Sequence, residues 1–158
     1  MNTNLKNKRA VVCGSTKGIG KAIAIELASL GANVTLFARD RDSLKKVLSD
    51  LDSSEKQQHD ILQADFRFPD QVKDVISEYA KNTDGIHILV NNSGGPAPGL
   101  AIDADPQDFL NAFSQHLLCN QHIVQAVVPL MKVAGYGRII NVISTSPSSN
   151  RSSSSLIR

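Results

Sequence analysis

Nothing in the 158 residues approaches the ~20 consecutive apolar positions that cross a membrane. The opening stretch MNTNLKNKRAVV also lacks the long apolar core of an export signal. Together these absences set the expectation of a soluble, cytoplasmic protein with no membrane partner. No charge of one sign dominates either. Seventeen basic and fifteen acidic residues, mixed along the chain, leave a net charge of +2. That balance offers no basic face of the kind that drives nucleic-acid binding. Cysteine is scarce: Cys13 and Cys119 are the two, both in apolar surroundings, and they read as reduced and buried rather than as a disulfide framework. No internal repeat is visible, and the length suits one domain that buries roughly two thirds of its unfolded surface.

What is present is a regular alternation. Short runs rich in β-branched residues, RAVVC (9–13), NVTLFA (33–38), HDILQA (59–64), IHILVN (86–91) and GRIINV (137–142), read as strands. Their nearly continuous apolar character is that of strands buried on both faces of a parallel sheet. Helical stretches separate them at 20–31, 41–51, 69–82 and 106–132. Gly31 is placed to close the first, and Asp105 or Asp103 to cap the last ahead of Pro106. Strict β-α-β alternation predicts a doubly wound α/β sheet with right-handed crossovers; the strand order expected of it is 3-2-1-4-5. Residues 1–145 form this domain, and the serine-rich stretch 146–158 reads as a linker or tail.

Between the first strand and the first helix lies CGSTKGIG (13–20), with Gly14, Gly18 and Gly20 at the spacing G-x-x-x-G-x-G. In a doubly wound fold this turn presents helix N-terminal amides to a phosphate, and glycine lets the phosphate approach the backbone closely. A tight turn with no ligand is the alternative. Asp65 follows the third strand, NNSGG (91–95) the fourth, and GRIINVIS (137–144) runs through the fifth. In order and separation these four motifs resemble the short-chain dehydrogenase/reductase family, especially members related to 3-oxoacyl-acyl-carrier-protein reductases, from about residue 6 to residue 146.

The resemblance implies roles by position. Gly14, Gly18 and Gly20 would form the diphosphate turn, Ser15 and Thr16 would supply hydroxyl or amide donors, and Ile19 would pack near the nicotinamide. Asp65 would accept from the adenine amino group with the Phe66 amide beside it, unless it is a solvated strand-end residue. Asn91 would stabilise the central strand and, with Ser93 and Gly94, line the groove under the ribose, unless NNSGG is an ordinary turn. NAD-specific relatives carry an acid at the end of the second strand, whereas this strand ends LFARD. Arg39, with Lys17 in the glycine turn, favours NADP(H), because the adenosine 2′-phosphate needs paired donors. Asp40, one position on, leaves the count open by one, and Arg39 as a solvated charge is the alternative.

The family's chemistry uses a serine, a tyrosine, a lysine four residues after it and a helix asparagine. Ser144 matches the serine, and His116 falls on the asparagine position, where a histidine packed under a loop is the other reading. No tyrosine follows Ser144; Tyr79 and Tyr136 both precede it. Ser154 and Arg158 occupy the Y-x-x-x-K spacing after a small deletion. Arginine brings only the electrostatic part of the lysine role, and a serine hydroxyl is a far weaker acid than phenol. A metal site from His116, Cys119 and His122 is not expected, since the outer pair lie about 120° apart around a helix.

Family members run beyond this length, so the chain is expected to lack the last strands and the substrate loop, leaving an exposed fifth strand and an uncovered long helix. The sequence therefore predicts an NADP(H)-dependent oxidoreductase acting on a small carbonyl or secondary alcohol, self-associating through its apolar helix. The alternative is a catalytically inactive nucleotide-binding or self-associating fragment of such an enzyme.

Overall fold

The computed structural model describes residues 4–95 and 102–143. Five strands, β1 (Arg9–Cys13), β2 (Asn33–Ala38), β3 (Asp60–Gln63), β4 (Ile88–Asn91) and β5 (Arg138–Asn141), form one sheet in the order β3-β2-β1-β4-β5. Every neighbouring pair is parallel. The helices are α1 (Gly18–Ser29), α2 (Arg41–Ser49), α3 (Pro69–Lys81), α4 (Pro106–Phe113) and α5 (Cys119–Val133).

Period-2 alternation sorts the apolar strand residues into two cores. Ala10, Val12, Val34, Leu36, Ile88 and Val90 pack against Ala24 and Ala28 of α1 and Leu44 and Val47 of α2. Val11, Cys13, Phe37 and Leu89 face the other way, onto Val72 and Ile76 of α3 and Ile123 and Val127 of α5. Both faces are thus apolar, which is why the strands read as continuous hydrophobic runs. Small residues on α1 let that helix lie close to β1. Gly31, at φ +91°, turns the chain out of α1 one residue after its C-cap Leu30. Cys13 and Cys119 are free and buried, and burial pushes their thiols up, to about 12 and about 11.

Two expectations need correction. Burial on both faces holds for β1, β2 and β4, but β3 is only partly covered and β5 is exposed throughout, as edge strands of the described sheet. The single helix expected over 106–132 is two helices joined by a π-helical turn, Ser114–Leu118, and α5 runs through Pro129 to Val133. Asp105 is the N-cap of α4, accepting from the Gln107 amide at 2.7 Å.

At the amino ends of the strands, histidines complete the ladder. His87 Nδ1 accepts from the Arg9 amide at 3.1 Å while the His87 amide donates to the Arg9 carbonyl at 2.9 Å. His59 Nδ1 accepts from the Val34 amide at 3.0 Å. The tyrosines lie at this end too. The Tyr79 hydroxyl is 2.6 Å from Thr35 Oγ1 and accepts from Arg9 Nη1 at 3.3 Å, while the Tyr136 ring lies between Lys8 and Arg138. Burial, with Lys8 and Arg9 nearby, lowers the His87 pKa, so the folded state holds the ring neutral. Its contribution to stability is complete above the unfolded value of about 6.5 and is lost as pH falls from there through the lower folded value. Urea denaturation between pH 7.5 and 5 should show this loss, and His87→Asn, which keeps an acceptor but does not titrate, should flatten the profile.

Candidate functional site

The glycine turn leaves the carboxyl end of β1 at Gly14, whose φ of +59° suits glycine. A Cβ there would lie 2.1 Å from the Asn92 carbonyl oxygen, and one on Gly20 would lie 2.3 Å from the Gly14 carbonyl oxygen. The turn, the start of α1 and the chain after β4 therefore meet backbone to backbone. Asn92 secures the contact: its Nδ2 donates to the carbonyls of Cys13 at 3.3 Å and Gly14 at 3.4 Å. Gly18 is different. Its φ is +54°, and among the described residues no atom beyond its own stretch of chain lies within 4 Å of where its Cβ would be, so the turn is open there.

Electrostatics single out the same place. Asp40 and Asp105 cap α2 and α4, and Asp42, Asp70 and Asp108 sit in the first turns of α2, α3 and α4. At α1 the N-cap is Lys17, with no side-chain capping bond, and no acid lies in the first turn. Its first amides have no side-chain cap and no acid beside them, the arrangement in which a helix start can take an external anion. Lys17, Gly18 and Ile19 are exposed around them, and Thr16 is half-buried. Ser15 is fully buried and its Oγ accepts from the Phe37 amide at 3.0 Å, so that hydroxyl braces β2 from inside the turn.

Beyond the ends of β2 and β3 lies a cleft of about 330 Å³ lined by Arg39, Asp40, Gln63, Ala64, Asp65 and Gln71. Asp40 turns back to accept from the Ser43 amide at 2.7 Å, and Ser43 holds its carboxyl below the ordinary range. The Arg39 guanidinium has no hydrogen bond or ion pair among the described residues, and the Arg39 carbonyl accepts from Gln63 Nε2 at 3.0 Å. Asp65 is gripped by Arg67 and bonded through its own amide to Gln71 Oε1 at 2.8 Å. The Phe66 ring meets Phe37 edge-on at 5.2 Å, and its carbonyl accepts from Cys119 Sγ at 3.1 Å.

Past β4, Ser93 Oγ and His116 Nδ1 are 2.6 Å apart, joining the loop to the π-helical turn. Burial lowers the His116 pKa, so the ring is a neutral partner for the hydroxyl. Asn91 is buried, and its Nδ2 donates to Asn141 Oδ1 at 2.8 Å, tying β4 to β5 as expected of a residue that stabilises the central strand. Gly94 is exposed with open space beside it. Ser144, Ser154 and Arg158 lie outside the described residues. No cluster of three metal-ligating side chains occurs among the described residues. Sequence reasoning missed Asn92 and Arg67: the doubled asparagine of NNSGG was the available signal for the first, and nothing marked Arg67 among the chain's other cations.

The profile of the short chain dehydrogenases matches residues 8–155. The chain belongs to the short chain dehydrogenase family. It is 34% identical to a D-beta-hydroxybutyrate dehydrogenase of Rhizobium meliloti over 141 residues, 87% of this chain and 54% of that protein. It is equally 34% identical, over 139 residues, to the inactive hydroxysteroid dehydrogenase-like protein 1 of Homo sapiens, covering 87% of this chain and 42% of that one. Among solved structures, L-sorbose reductase of Gluconobacter frateurii, complexed with NADPH and L-sorbose, superposes with a TM-score of 0.81 at 28% identity, covering 89% of this chain and 54% of its own. The chain thus spans about half the length of such relatives.

Within this short chain dehydrogenase the glycines carry unequal loads. Gly14→Ala combines a positive φ with a backbone clash and should cost about 3 kcal/mol or more in urea denaturation. Gly18→Ala meets open space and should cost only the left-handed strain, about 1–2 kcal/mol.

Proposed function

We propose that the chain binds NADP(H) and forms the nucleotide-binding part of an oxidoreductase acting on a carbonyl or secondary alcohol. The observation that carries this reading is the Arg39 guanidinium at the cleft, without a hydrogen bond or ion pair among the described residues, with the neighbouring Asp40 engaged as a helix cap. The residues fit the cofactor: the α1 amides are open to an anion with no competing acid in the first turn, and Gly18 leaves room for it. Arg39 and Lys17 would pair with the 2′-phosphate, Asp65 would accept from the adenine amino group, and Ile19, 61% exposed on the first turn of α1, would cover the nicotinamide. The NADPH bound by L-sorbose reductase supports the same choice.

When bound, the nicotinamide supplies or takes a hydride. The chain's own part is to hold the carbonyl and manage the proton. Ser144 would orient the carbonyl oxygen, the Ser93–His116 pair would hold a proton at the reacting end, and Ser154 with Arg158 would stand where the family places its acid and base. A second reading, nucleotide binding without turnover, is favoured by the tyrosines. Both phenols lie at the amino ends of the strands, Tyr79 on Thr35 and Tyr136 against Lys8 and Arg138, at the opposite end of the sheet from the glycine turn. General acid catalysis is worth typically 10²–10⁴-fold, and a serine hydroxyl is poorly matched to it.

The protein is also proposed to self-associate. Phe109, Leu110, Phe113 and Leu117 form an exposed apolar stripe along α4 and the π-helical turn, and Ile139 and Ile140 are exposed on β5. Light scattering at micromolar concentration should give a mass above the monomer's, and a clean monomer would refute it.

Calorimetric titration should show NADPH binding more tightly than NADH, with the preference weakening in high salt. Arg39→Asp should reverse it, and equal affinities in the wild type would sink the reading. Following NADPH absorbance with β-ketoacyl thioesters, sugars and quinones should give turnover well below the ~10 s⁻¹ typical of enzymes. Turnover near that value, lost in Ser144→Ala, would establish the catalytic reading.

A further inference from the structure

The adenosine cleft is lined by two carboxylates, Asp40 and Asp65, against one cation, Arg39. A dianionic phosphate entering such a space meets an excess of negative charge, so a cleft that is to hold one must silence its acids. Asp40 is dealt with by the start of α2, where the Ser43 amide takes its Oδ1. Asp65 has no helix terminus of its own, and its carboxylate is instead enclosed by Arg67. The Arg67 amide and Nε donate to Oδ1 at 3.0 and 3.1 Å, while Nε and Nη2 donate to Oδ2 at 2.9 and 2.5 Å.

This is more than an incidental surface pair. The turn itself sets the spacing, with the Phe68 amide donating to the Asp65 carbonyl at 2.9 Å, and the guanidinium lies 5.8 Å from the Phe68 ring centre. Single-contact exposed ion pairs are weak. A fork reinforced by a backbone amide on the same carboxylate is the geometry in which pairing persists. Arg67 also holds the Asp65 carboxyl below its ordinary range, so the pair stays ionised at neutral pH.

We propose that Arg67 is a specificity-determining residue of this cleft: by neutralising Asp65 it leaves Arg39 free to take a phosphate monoester at the adenosine 2′ position. The proposal rests on the NADP(H) reading above. Without Arg67, Asp65 presents an unshielded charge to that phosphate and competes with it for Arg39, whose charge already bears on Asp65. A ribose hydroxyl in the same place is not repelled, so the loss falls on NADP(H) and spares NAD(H).

The experiment is calorimetric titration of the full chain with NADPH and with NADH, read as the ratio of the two dissociation constants. Taking the ratio cancels any common effect on the adenine or on the fold. In Arg67→Gln the preference for NADPH should fall about five- to tenfold, with the difference from wild type shrinking as salt is raised. Arg67→Lys, which keeps the charge without the fork, should retain most of it. Adding Asp65→Asn to Arg67→Gln should restore the preference, because the charge to be silenced is gone. An unchanged ratio in Arg67→Gln would overturn the proposal, whether both affinities fall together or neither moves. So would a double variant that stays at the Arg67→Gln ratio. Equal wild-type affinity for both cofactors, or binding of neither, would instead overturn the NADP(H) reading on which the proposal stands.

Discussion

Everything at the carboxyl end of the sheet depends on three backbone segments occupying nearly the same space. The Gly14 turn, the first turn of α1 at Gly20 and the chain at Asn92 approach so closely that a methyl group on either glycine would fall inside a carbonyl oxygen. That approach brings the exit of β4 against the exit of β1. It sets the residue before Ser93 against the glycine turn, and so joins the proposed phosphate-binding turn to the proposed reacting end. Asn92 is the side chain that fills what space remains, donating to the two carbonyls the turn exposes.

The electrostatic pattern follows from how the helix starts are used. A carboxylate near the N-terminus of a helix satisfies its first amides and complements its dipole. The chain applies this at α2, α3 and α4 and withholds it at α1. Of the two helix starts without an acid, α5 continues from the π-helical turn, and α1 is the one that follows the glycine turn. The same economy explains Asp40, which could have been a ribose ligand by sequence and is a structural cap by geometry.

Much of this was legible in the residues. NVTLFA is β2 to the residue, and the apolar runs carried the parallel sense, because a sheet buried between two helix layers needs apolar side chains on both sides. The illegible parts are those where a residue's partner is far away in sequence or where its chemistry is common. Asn91 and Asn92 are identical and adjacent. Only the pleat decides that one is buried against Asn141 on β5 while the other reaches the glycine turn. Arg67 is one of 17 lysines and arginines, and no spacing rule separates a fork on Asp65 from a solvated side chain. The burial of Ser15 was hidden because a serine in a glycine-rich turn suits a ligand contact as well as an internal brace.

The π-helical turn at Ser114–Leu118 carries a consequence for how this part of the molecule changes over time. Every residue buried on α5, Cys119, Ile123, Val127 and Met131, follows a four-residue step from the end of that turn, while α4 buries none. A π-helical turn takes one residue more than the α-helical turn it replaces, so that residue is a length the helix can give up without rotating α4 against α5. His116 sits in this turn and meets Ser93 from it. A single-codon deletion there would therefore keep α4 and the buried residues of α5 in phase and fall on the Ser93–His116 contact, a functional step at little expense to the fold.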